Sequence, residues 1–202
     1  MDTEWGNCRT RDMVTLYFRG MAEQNGKPKI GRSARLLGIR PGTDIDVEEV
    51  PEVWLDEQGC LKPDLGSEDF SILIKAWKLM VWKQDFDDSS VSRHQLLVVS
   101  MLLDEKGYLD LESDLLAAVV RNTKGMSTSL SIDALPPHRK PEKFGGTGRD
   151  PLWQIDDSKI FGDLEAVQDS RTHVSIMPRT TMLLARYESA LAATQNDWQR
   201  VE

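Results

Sequence analysis

The period of hydrophobic and polar positions changes several times along the chain. Over residues 13–19, "MVTLYFR", it is two: Val14, Leu16 and Phe18 fall on one face, Thr15, Tyr17 and Arg19 on the other. This predicts a half-buried strand with the apolar set behind. "NGKPKIG" turns, and "TDIDVEEV" (43–50) is a second, weaker strand. The period then lengthens. Ser67 is placed to cap a helix whose Phe70, Leu73, Ile74, Trp77, Met80 and Val81 lie on one stripe. After the polar break "QDFDDSS", Ser92 with Gln95 three residues on opens a second helix that runs through Leu103 and ends near Gly107. Its "LLVVSMLL" is apolar nearly all round, which predicts deep burial. "LESDLLAAVVRN" (111–122) reads as a third, short helix. "STSLSI" (127–132), "PLWQI" (151–155) and "RTHVSIMP" (171–178) return to strand character.

Between them, "ALPPHRKPEKFGGTGRDP" carries four prolines and three glycines among charges and reads as a loop. A final amphipathic helix is predicted over 181–200, with Leu183, Tyr187, Ala190, Leu191 and Trp198 inward. One strand, a helical middle, then strands and a terminal helix make an α+β pattern rather than a doubly wound one. The expectation is a single domain over residues 1–202 with a helical insertion at about 67–122.

Composition narrows the class. With 40% hydrophobic residues in 202, the chain can bury a core without disulfide or metal staples. A net charge of −8 argues against electrostatic binding to nucleic acid or an anionic membrane. Cys8 and Cys60 stand at unrelated places with no CxxC, which fits free thiols in a reducing cytosol. The opening "MDTEWGNCRTRD" has no apolar core of a secretory signal, and the longest apolar run is too short to span a bilayer. A cytoplasmic site of action is expected.

Three strand-like stretches put polar groups on one face. Tyr17 and Arg19 share a face in "LYFRG"; Ser127, Ser129 and Ser131 share one in "STSLSI", with Thr128 opposite; His173 and Ser175 share one in "THVSIMP". Each is ordinary alone. Together, in this order, they make a floor for an anionic, hydroxyl-rich ligand: Arg can grip a pyrophosphate bidentately, hydroxyls can hold ribose oxygens, and His can move a proton near neutral pH.

"TLYFRG" (15–20), "GMSTS" (125–129) and "THVSIMP" (172–178) resemble the ADP-ribosyltransferase-like cytotoxins delivered by bacterial type VI secretion. The likeness covers about the first twenty and last eighty residues. It implies a split antiparallel sheet around a cleft for NAD, used as substrate. It also implies Thr128, Ser129 and His173 as the essential groups and Arg19, Tyr17 and Ser127 at the nucleotide, with Arg19 on phosphate. A toxin of this kind would meet a cognate immunity protein. Two departures matter: Phe18 intrudes before Arg19, and a one-residue shift turns a strand side chain to the other face; Val174 stands where the family has Tyr. A third is chemical. Arg-Ser-Glu transferases end on a glutamate pair that stabilises a ribosyl cation, and His173 falls near that place; a neutral imidazole does not offset positive charge as an anion does. Glu165 and Glu188 are the other acids within reach in sequence.

Two other classes stay open. Asp44, Asp46 and Glu48 alternate and could share a strand face to bind Mg²⁺ in a hydrolase or nuclease. An acidic immunity or antitoxin factor is the other, with some of Trp5, Trp54, Trp77, Trp82, Trp153 and Trp198 as exposed anchors, although Trp77 sits on the apolar stripe.

Overall fold

The alternation near residue 16 becomes an interior strand of the largest sheet. A computed structural model of the protein describes residues 14–30, 39, 41–66, 70–82, 92–109 and 115–202. Their strands are β1 (Leu16–Gly20), β2 (Glu23–Gln24), β3 (Lys27–Pro28), β4 (Val47–Pro51), β5 (Leu116–Val120), β6 (Met126–Ser129), β7 (Leu152–Asp156), β8 (Leu164–Gln168), β9 (His173–Pro178), β10 (Met182–Leu183) and β11 (Gln199–Arg200). The helices are α1 (Pro63–Gly66), α2 (Phe70–Trp82), α3 (Arg93–Glu105) and α4 (Leu184–Ala193). The six-stranded sheet runs β11-β7-β1-β6-β9-β8 and a three-stranded sheet runs β10-β5-β4. The α+β expectation holds.

Register assigns the faces. Residues directly opposite in an antiparallel pair point the same way. Phe18 opposes Ser129 and Ser129 opposes His173, so Phe18 shares its face with the hydroxyls. Tyr17 and Arg19 oppose Ile155 and Trp153, on the face over the main core. The expected faces of β1 are therefore exchanged: Tyr17 and Arg19 are buried, whereas Val14 is exposed. Bulk decides, because the polar tips find partners inside. The Tyr17 hydroxyl donates to Asp157 at 2.8 Å, and burial followed by that bond pushes its pKa up to about 12.

One core cluster lies under the large sheet, where α4 brings Tyr187 and Leu191 against Val174 and Ile176. A second gathers Trp54, Leu73, Trp77 and Leu103 beneath α2 and α3, with Trp54 and Trp77 edge to face at 6.3 Å. Trp54, Trp77, Trp153 and Trp198 are all buried, so they are core rather than anchors; Trp5, Cys8, Ser67 and the "QDFDDSS" break lie outside the described residues.

Several expectations need correction. The capping box of Ser92 and Gln95 is formed, but α3 is not buried all round: Leu97, Val98 and Met101 are 59%, 51% and 64% exposed. The third helix is replaced over 116–120 by β5, where Val119 and Val120 pack between β4 and β10 and tertiary pairing overrides the helix preference of Leu and Ala. β6 ends at Ser129, so Ser131 leaves the strand. The terminal helix stops at Ala193, and Gln199 and Arg200 form an edge strand on β7. Asp44 and Asp46 precede β4, Asp46 is held by Thr123 and Lys124, and no cluster of potential metal ligands occurs among the described residues. The shared carboxylate face required for Mg²⁺ is not formed.

Tyr187 staples the sheet centre. Its hydroxyl donates to the Ile176 carbonyl at 2.8 Å and accepts from the Met126 N–H at 3.0 Å, joining β6 and β9 at one paired position. Removing it strands two buried backbone groups. Tyr187→Phe is expected to lower unfolding free energy by about 2 kcal/mol, measured by urea denaturation with an unchanged m-value.

Candidate active site

β1 and β6 share a single register pair, Phe18–Ser129, beyond which they diverge. The opening is a cavity of about 270 Å³. Ser127, Thr128 and Ser129 form one wall with Thr172 and His173, and Arg19 and Asp44 lie across from them. The long loop closes it with Leu135, Pro136, His138 and Arg139. β6 reaches this place because Gly125 lets it come down on β9: a Cβ there would sit 2.1 Å from the Ile176 carbonyl oxygen.

The cavity gathers Arg19, Ser127, Thr128, Ser129 and His173 from three strands, and leaves out Tyr17, whose hydroxyl is held by Asp157. The hydroxyls differ in use. Thr128 points to the core face and donates to the Val174 carbonyl at 2.8 Å. Ser129 Oγ reaches the carbonyls of Ser131 and Thr172 at 2.9 and 3.1 Å, tying down the chain where it leaves the strand. Both brace the wall. Ser127 alone meets a titratable group, with its Oγ 2.5 Å from His173 Nε2.

Arg19 is 3% exposed and donates from Nη1 to the Ser127 carbonyl, bridging the gap between the strands. Burial and then the neighbouring Arg139 bring its pKa down to about 10, while Asp44 and Tyr187 act in the opposite direction. It remains a cation at neutral pH. Arg19 thus enters the cavity from the core side, whereas Ser127 and His173 meet on the opposite face of the sheet.

Neither glutamate is at the cavity. Glu165 is on β8 opposite Met177, and Glu188 is buried on α4. The acid beside His173 is Asp169, with Oδ1 and Oδ2 2.6 and 2.7 Å from Nδ1. Sequence reasoning passed over it because it lies in the tight turn between β8 and β9. The turn's own hydrogen bonds place it: Asp169 N–H reaches the His173 carbonyl and Ser170 Oγ accepts from the His173 N–H, so the turn folds residue 169 back onto residue 173. His138 and Arg139 were missed too, as parts of a segment read only as a loop, and Asp44, read as a candidate Mg²⁺ ligand on a strand, lines this cavity instead.

Residues 78–198 match the family model described as Tse2 ADP-ribosyltransferase toxin. The chain belongs to this family. The matched span includes β6, β9, the Asp169 turn and the Arg139 loop, and leaves Arg19 and Asp44 outside it. No curated protein and no solved structure matches the chain. Among the described residues no helix is long and apolar enough to cross a membrane.

Gly20 follows Arg19, and a Cβ there would lie 2.2 Å from the Arg139 carbonyl oxygen. Backbone must move to admit it. Gly20→Ala is expected to cost about 1–3 kcal/mol, read by denaturant unfolding, and to displace the Arg139 loop, read as new amide shifts at residues 136–140.

Proposed function

We propose that this chain is a toxin whose cavity takes the nicotinamide-ribose end of NAD and that it acts on ADP-ribosyl groups in the cytoplasm of a target cell. The observation that carries this reading is the meeting of two arginines with the Ser127–His173 pair in one cavity, in a chain of an ADP-ribosyltransferase toxin family. The parting of β1 from β6 is read as the split sheet of the ADP-ribosyltransferase fold.

The lining suits one end of a dinucleotide. Ligand pockets run from about 300 to 1,000 Å³, so a cavity of about 270 Å³ holds the reacting end and leaves the remainder along the rim. Arg139, on the loop side, is the cation free of a strand's geometry and suits a bidentate grip on pyrophosphate. Arg19, tied to the Ser127 carbonyl, lends charge and braces the wall. Leu135 and Pro136 offer an apolar side for a nicotinamide ring, and Ser127 and His173 stand where ribose would lie. Delivery by type VI secretion, and a cognate immunity protein that plugs the cleft, follow from the same reading.

Calorimetry with NAD tests it. The wild-type protein should bind, and Arg139→Ala should weaken binding at least about 10-fold, the value of one charged hydrogen bond. No binding by the wild type removes the reading. Expression separates a toxin from an immunity factor: wild type should arrest growth of a host cell and His173→Ala should not, whereas an immunity factor would be tolerated in both forms.

A further inference from the structure

Three side chains are joined end to end at the cavity wall. The Asp169 carboxylate lies 2.6 and 2.7 Å from His173 Nδ1, and His173 Nε2 lies 2.5 Å from Ser127 Oγ. A carboxylate only accepts, so Nδ1 carries the ring hydrogen; in the neutral imidazole Nε2 then holds a lone pair, and the Ser127 hydroxyl donates to it. Ser175 Oγ donates to Asp169 Oδ2 at 3.0 Å and steadies the carboxylate. This polarity, from hydroxyl through imidazole to carboxylate, is the one in which a base draws a proton from a nucleophile. Thr128 and Ser129 give their hydrogens to carbonyls and have no such base.

We propose that Ser127 is the nucleophile of this cavity, with His173 as its general base and Asp169 as the residue that positions the imidazole. The electrophile is the C1′ carbon of the nicotinamide ribose, a choice that rests on the NAD reading above. Ser127 Oγ forms a bond to C1′ while the bond from C1′ to the ring nitrogen breaks. Its electron pair leaves with neutral nicotinamide, and the Ser127 proton passes to His173 Nε2. The imidazolium so formed sits against Asp169. When water or a nucleophile of the target displaces the ADP-ribosyl group from Ser127, that nucleophile's proton goes to solvent and His173 returns its own to Ser127 Oγ. The aspartate thus supplies, one residue removed, the negative charge that a glutamate would have brought directly.

A fluorophosphonate probe, used without NAD, reads the nucleophile alone: Ser127 Oγ bonds to phosphorus, fluoride leaves, and the proton goes to His173. Peptide mass mapping of the folded wild type should place the label on Ser127 and not on Ser129 or Ser131. Labelling should vanish in Ser127→Ala and fall at least about 100-fold in His173→Ala, the usual worth of a general base. Asp169→Asn should slow it about 10-fold or more and abolish the far-downfield Nδ1–H resonance seen by NMR, with Asp169→Glu restoring part of both. A wild type that is not labelled at Ser127, or labelling unaffected by His173→Ala in a protein with wild-type circular dichroism, overturns the proposal; the wild-type measurement needs no variant to fold. Incubation with NAD should then leave an ADP-ribosyl mass on the Ser127 peptide. Labelling without NAD binding keeps the nucleophile and removes NAD as its electrophile, whereas NAD binding without labelling removes the nucleophile and keeps the cleft.

Discussion

Arg19 stands where the large sheet parts, and its guanidinium holds the Ser127 carbonyl across the opening between β1 and β6. Burying a guanidinium is costly unless it is hydrogen-bonded, so the gap and the arginine depend on each other. With one register pair between these strands, the bond to Ser127 replaces the ladder that would otherwise fix β6 against β1. It also fixes which way Ser127 faces. Its carbonyl is held in the plane of the sheet toward Arg19, and its hydroxyl stands off the far face beside His173. The next residue, Gly20, must lack a side chain because the loop carrying Arg139 presses its carbonyl there. Residues 19 and 20 therefore place two walls of the cavity.

The three consecutive hydroxyls of β6 show how strand geometry divides labour among like residues. The period of two sends Thr128 to the core, where its hydroxyl must be satisfied internally and finds the Val174 carbonyl. Ser127 and Ser129 share the other face, but not the same surroundings. Ser129 is at the end of the strand and gathers the carbonyls of the departing chain, whereas Ser127 is inside it. Diagonal neighbours across an antiparallel pair remain within reach of a ring, and the ring of His173, opposite Ser129, reaches back to Ser127.

The parts of this arrangement legible in the sequence were those written in periodicity and caps. The strands at β1, β7 and β9, the capping box at Ser92 and the stripe through Leu73 and Trp77 follow from local pattern, and so does the grouping of Ser127, Ser129 and His173 on one face. Failures arose where tertiary partners outweigh local preference. β5 is spelled with helix-favouring Leu and Ala and is a strand because β4 and β10 flank it. Tyr17 and Arg19 look like an outward face and are buried because Asp157 and the Ser127 carbonyl wait for them inside. Asp169 and Arg139 were illegible for another reason. Turn and loop residues carry no period, and nothing in "QDSRT" or "PPHRK" announces that the chain will fold one onto His173 and the other into a cavity.

Electrostatics tie these placements together. The chain carries a net charge of −8, yet Arg19 and Arg139 face one small cavity. Burial, and after it the neighbouring Arg139, lowers the pKa of Arg19, and Asp44 offsets part of that cost. An anion entering such a site replaces the repulsion between the arginines with two attractions. The Asp169–His173 pair lies on the other side of Ser127, half-exposed at 48% and 39%. Solvent reaches it, so its charge is screened from the arginines and a proton can exchange with bulk water. The sheet thus keeps a buried, fixed positive charge on its core side and a solvent-exposed Asp169–His173 pair on its outer side. Ser127 touches both, Arg19 at its carbonyl and His173 at its hydroxyl.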